Sequence, residues 1–78
     1  MIQKLDNSAQ LPVNPSVLLW AREQSGFPLE QVAKRLNVKA NRVASWEQGE
    51  LVPTFRQAQE LARFYHRPFN LFFLSEPP

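Results

Sequence analysis

The sequence predicts an all-α domain of five short helices, and three observations predict it. Leu29, Val32, Ala33 and Leu36 stand at i, i+3, i+4 and i+7, which is the apolar stripe of a two-turn helix. Residues with helix-capping chemistry punctuate the chain at helix-length intervals: Asn14-Pro15, Gly26, Asn37, Gly49, and Thr54 followed by Gln57. Between them, the stretch from Phe27 to Gly49 reads as two short helices with a tight turn, and the rest of the chain is organised around it.

Residues 1–13 are polar and without sustained period, and are expected to form a flexible N-terminal arm. Asn14 then serves as an N-cap with Pro15 at the first helical position, where a missing N–H costs nothing. The first helix is expected over Pro15–Ser25, with Val17, Leu18 and Ala21 inward and Gly26 closing it. Trp20 fits either a half-exposed position or the flank of the core. The second helix carries the Leu29 stripe and ends at Asn37, a residue that tolerates the left-handed conformation of a sharp turn. Val38 points back inward.

The third helix is expected from about Lys39 to Gln48, burying Val43 and Trp46 and presenting Asn41, Arg42, Ser45 and Gln48 on the opposite face. That face is polar and carries no acid. Gly49 ends the helix, and a loop from Glu50 to Pro53 leads to Thr54 and Gln57, which have capping-box spacing. The fourth helix then has Phe55, Ala58, Leu61, Ala62 and Tyr65 as its inward stripe and is broken by Arg67-Pro68. The fifth element, from Pro68 to Leu74, is apolar nearly all round. Residues 75–78 form a proline-rich exit, so the domain itself spans 14–74.

Composition narrows the function classes. A chain of 78 residues has barely enough surface to bury for a core, which argues against a large catalytic cavity. There is no cysteine and a single histidine, His66, so disulfides, thiolate metal sites and most side-chain zinc sites are excluded. We assign no catalytic residue, no metal ligand and no cofactor. No apolar run approaches a membrane span, the first ten residues lack the apolar segment of a secretory signal, and a cytoplasmic protein is expected. A formal net charge of +2 is compatible with nucleic-acid binding without requiring it, so the placement of the charges matters more than their sum. Lys34, Arg35, Lys39 and Arg42 give the strongest local charge bias in the chain, with no acid between them.

Gly26, Val32-Ala33, Leu36, Val38, Val43, Trp46-Glu47, Gly49, Pro53, Leu61-Ala62 and the closing aromatic segment fall in step, without a gap, with another pattern. Over residues 15–74 the chain resembles the five-helix DNA-binding domain of the lambda-repressor/Cro (Xre) helix-turn-helix family. Its two ends, VNPSVLLWAREQSG and RFYHRPFNLFFLSEPP, are similar to the Xre domain that precedes an ImmA/IrrE-type metallopeptidase in bacterial and phage regulators, although the peptidase motif itself is absent here.

The resemblance implies double-stranded DNA as partner and transcriptional regulation as role, with the third helix in the major groove. Carried over by position, the contacts are Lys39, Ala40, Asn41, Arg42 and Ser45, with Lys34 and Arg35 extending the charge towards phosphates. Arg42 or Lys39 suits guanine, Asn41 suits adenine, and Ala40 suits only a thymine methyl. The resemblance also implies a structural ion pair between Arg22 and Glu47. The aromatic segment with Phe69, Phe72 and Phe73 is expected to be partly core, and its excess over what one face of a small bundle absorbs to cover a homodimer contact or a following domain.

The family's usual cap and phosphate-bonding glutamine at the start of the second helix are replaced by Pro28 and Leu29, and Lys39 stands where a capping serine or threonine is usual. Glu30 and Glu50 add negative charge nearby. These departures define the alternative, a degenerate helix-turn-helix that serves as a protein-interaction or targeting module for an attached metallopeptidase domain or an antitoxin-type partner.

Overall fold

A computed structural model describes residues 12–78, and residues 1–11 of the expected arm lie outside the described residues. Four α-helices follow one another as α1 (Pro15–Ser25), α2 (Leu29–Leu36), α3 (Ala40–Gln48) and α4 (Phe55–Tyr65), and a 3-10 helix, Phe69–Phe73, closes the domain. No strand occurs among the described residues.

Local chemistry sets most of these boundaries. The Asn14 side chain accepts from the Ser16 N–H ahead of Pro15, and Gly26 ends α1 in the left-handed region. α2 ends at Asn37 (φ 59°), where the Asn37 and Val38 N–H groups donate back to the carbonyls of Lys34 and Ala33. Gly49 ends α3 in the same way, its φ of 81° being one that L side chains rarely adopt. A Cβ there would also lie 3.3 Å from the Pro15 ring, so this turn is shaped for glycine twice over. At α4 both capping-box bonds form, Gln57 N–H to Thr54 Oγ1 at 3.1 Å and Thr54 N–H to Gln57 Oε1 at 2.8 Å. His66 (φ 56°) ends α4, so the helix stops ahead of Arg67-Pro68 through a left-handed residue.

The core sits between α1, α2, α3 and α4. Val17, Leu18, Ala21, Val32, Ala33, Val43, Trp46, Ala58, Leu61, Ala62 and Tyr65 are buried, and Trp46 and Phe72 are the largest side chains wholly enclosed. Leu29, Leu36 and Val38 pack against this cluster half-buried. Trp20 does too, and the Arg67 guanidinium lies 5.0 Å from its ring centre.

Three expectations need correction. The arm does not run through residue 13, because Val13 packs on the core and the Asn14 N–H donates to the Phe72 carbonyl at 2.7 Å. The Asn14 amide also donates to the carbonyls of Leu74 and Ser75, which binds the start of the domain to its end and ties down the first residue of the expected exit segment.

Phe55 does not belong to the inward stripe of α4, since it is 54% exposed. It is the first residue of the helix, and its ring meets Phe69 edge to face, with ring centres 5.3 Å apart, rather than entering the core.

The closing segment is a 3-10 turn rather than a fifth α-helix, which changes the faces of its rings. An α-helical period would bring Phe69, Phe72 and Phe73 to one side. In the 3-10 turn Phe72 is enclosed, while Phe69 and Phe73 meet edge to face with ring centres 5.1 Å apart and Phe73 is exposed. Phe72 is fully buried against α1 and α4, so it drops out of any surface contact.

Candidate nucleic-acid interface

The orientation of α3 is set by a bidentate ion pair. Arg22 on α1 donates from Nε to Glu47 Oε2 at 2.7 Å and from Nη2 to Oε1 at 3.1 Å, while its Nη1 donates to the Phe27 carbonyl at 3.0 Å. One guanidinium thus joins α1, the entry to α2 and the last turn of α3. The Glu47 carboxylate is 7% exposed, and its hydrogen bond holds the Arg22 guanidinium above its ordinary pKa. Burial raises the neighbouring Tyr65 phenol well above its usual value, and the Glu47 carboxylate pushes it in the same direction. Tyr65 is therefore neutral at physiological pH.

With its inner face fixed by Val43 and Trp46, α3 presents Asn41, Arg42 and Ser45 to an open groove of about 650 Å³. Asn37, Val38, Lys39, Leu51 and Gln57 complete its lining. Asn41 and Arg42 are exposed, and the Ser45 hydroxyl donates to the Asn41 carbonyl at 2.9 Å, which leaves its oxygen as an acceptor. Lys39 caps α3 without a side-chain hydrogen bond, so its ammonium is not spent on the helix. Among the described residues, no acidic side chain lines the groove.

The seven sequence-derived contacts divide here. Lys39, Asn41, Arg42 and Ser45 come together in the groove. Ala40 is half-buried and packs on the core, away from the groove. Lys34 is exposed on α2 outside the groove lining. Arg35 is engaged elsewhere, with its guanidinium carbon 5.5 Å from the centre of the Phe64 ring, which in turn stacks on Phe27 at 4.4 Å. Sequence reasoning missed Leu51 and Gln57 as groove residues. Gln57 had been absorbed by its capping role and Leu51 by the loop, and only the approach of that loop to α3 reveals them.

The helix-turn-helix family model matches residues 18–72, which takes in all four α-helices apart from the first turn of α1, and nearly all of the closing turn. The chain belongs to the lambda-repressor/Cro-type helix-turn-helix family. In this helix-turn-helix domain α2 and α3 are the paired helices and Asn37-Val38-Lys39 is the turn between them. No curated protein and no solved structure matches the chain. At the start of α2, Pro28 makes no side-chain cap, although Glu30 places a favourable negative charge in the first turn. Among the described residues no helix is long and apolar enough to cross a membrane, and no group of His, Cys, Asp or Glu is arranged to hold a metal ion.

Proposed function

We propose that this domain binds double-stranded DNA sequence-specifically in the cytoplasm, with α3 in the major groove, and so regulates transcription. The observation that carries this reading is the convergence of Lys39, Asn41, Arg42 and Ser45 on one acid-free groove. Two cationic donors, an amide and a hydroxyl oxygen offer the chemistry that base edges require, with Arg42 or Lys39 suited to guanine O6 and N7 and Asn41 to adenine. Lys34, exposed at the end of α2, supports a phosphate contact. Leu29 offers no hydrogen bond to a phosphate at the start of α2, where Pro28 also makes no cap, and this shifts the binding energy towards α3.

Anisotropy titrations at rising salt test the reading. Binding should weaken linearly in log–log form as salt rises, and Lys39→Ala with Arg42→Ala should weaken it by roughly 1–3 kcal/mol for each lost base contact. A folded domain that ignores duplex DNA at low salt would instead favour the protein-docking alternative.

A second element of the proposal is self-association. Phe55, Phe69 and Phe73 form an edge-to-face series with ring centres 5.3 and 5.1 Å apart, and Phe55, Phe73 and Leu74 are exposed beside one another along it. Such a strip, covered by a second copy, would carry two reading helices to half-sites on one duplex. Sedimentation at high concentration should show a dimer that Phe55→Ser with Phe73→Ser abolishes. A wild-type monomer throughout eliminates this element.

A further inference from the structure

One side chain in the reading groove has no place in a purely polar account of it. Leu51 is 44% exposed, takes no part in the core cluster, and lines the same wall as Asn41, Arg42, Ser45 and Gln57. Its position is fixed by its surroundings. The Glu50 and Leu51 N–H groups donate to the Ser45 carbonyl at 2.9 and 3.3 Å, Gly49 supplies the sharp turn before them, and Pro53 is buried two residues on. An exposed leucine held in place by the α3 backbone is a preformed apolar contact.

The rest of the groove defines what it meets. Apart from the half-buried Val38, every other lining residue is polar or basic. Gln57 spends its carbonyl oxygen on the Thr54 N–H, which leaves both amide hydrogens as donors. A surface of donors and cations with one apolar point matches the major groove of DNA, where acceptors abound and the only exposed apolar group is the C5-methyl of thymine.

We infer that Leu51, on the α3–α4 loop, is a specificity-determining residue that reads a thymine C5-methyl at one position of the bound duplex. This rests on the duplex-binding reading above and extends the reading surface from α3 to the loop that follows it.

The experiment uses the full chain in two stages. A bound sequence is first selected from random duplexes, and each thymine in it is then replaced singly by deoxyuridine, which removes only the methyl. One replacement should weaken wild-type binding about three- to fourfold, the value of one buried methyl group. In Leu51→Ala that same replacement should have no effect, while sensitivity at other positions is unchanged. Uracil substitution without effect at every thymine overturns the inference. So does equal sensitivity in the two proteins, or a Leu51→Ala loss that is the same for thymine and uracil, as a contact with sugar would give. Each of these outcomes leaves duplex binding intact, whereas failure of the wild type to select any duplex overturns both readings. Because Leu51 is exposed, its variant should unfold at the wild-type temperature, which excludes a folding defect as the cause.

Discussion

Phe72→Ala is expected to lower the free energy of unfolding by about 4 kcal/mol, whereas Phe73→Ala, one residue on, should cost about 1 kcal/mol or less. Phe72 is wholly enclosed between α1 and α4, and its backbone carbonyl receives the Asn14 N–H. Removing the ring loses its burial and leaves a cavity that the surrounding helices fill only in part. Phe73 touches Phe69 edge-on and is otherwise half in solvent. For a domain whose total stability is of the order of 4–12 kcal/mol, the first substitution removes a large share of it. Urea denaturation followed by fluorescence of Trp20 and Trp46 measures both, and equal losses would show that the rings had been assigned to the wrong faces.

Glu47→Ala should cost about 3 kcal/mol, more than the loss of an ordinary surface ion pair, because it strands a guanidinium that is only 16% exposed. The loss is structural before it is functional: Arg22 would still bond the Phe27 carbonyl, while the last turn of α3 would be released from α1. Replacing both partners by apolar residues of similar size, Arg22→Met with Glu47→Leu, should recover much of the stability, since neither charge is then left buried alone. Thermal unfolding of the wild type, Arg22→Met, Glu47→Leu and the double variant, which form a double-mutant cycle, decides it. Additive losses would mean that the pair contributes nothing beyond its separate side chains.

These two predictions separate what neighbouring residues decide from what distant ones decide. The α1 boundaries were legible because Asn14-Pro15 and Gly26 act within a turn of themselves, and the capping box at Thr54 and Gln57 was legible for the same reason. The stripe from Leu29 to Leu36 identified α2 and its buried Val32 and Ala33. The aromatic segment was harder. Its spacing fits an α-helix as well as a 3-10 turn, and the choice between them, made by packing against α1 and α4, decides which phenylalanine is enclosed. Phe55 continues the α4 stripe in sequence and leaves it in space, where its half-exposed ring lies against Phe69.

The groove beside α3 divides in the same way. Asn41, Arg42 and Ser45 lie within two turns of one helix, so their shared side could be read from a period of 3.6 residues, whereas Lys39, at the N-cap, was placed with them by the family resemblance. Arg35 looked equivalent as part of a run of charge, yet the Phe64 ring that engages it is 29 residues away in the chain. Leu51 and Gln57 join the groove only because the α3–α4 loop folds back on Ser45. Sequence by itself determined the four α-helices, their caps except for the left-handed His66 that closes α4, and the polar face of α3, because these depend on contacts within about one helical turn. Tertiary structure alone decided which rings are covered, which cations remain available and which loop residues line the groove, because burial and access belong to surfaces that distant segments bring together.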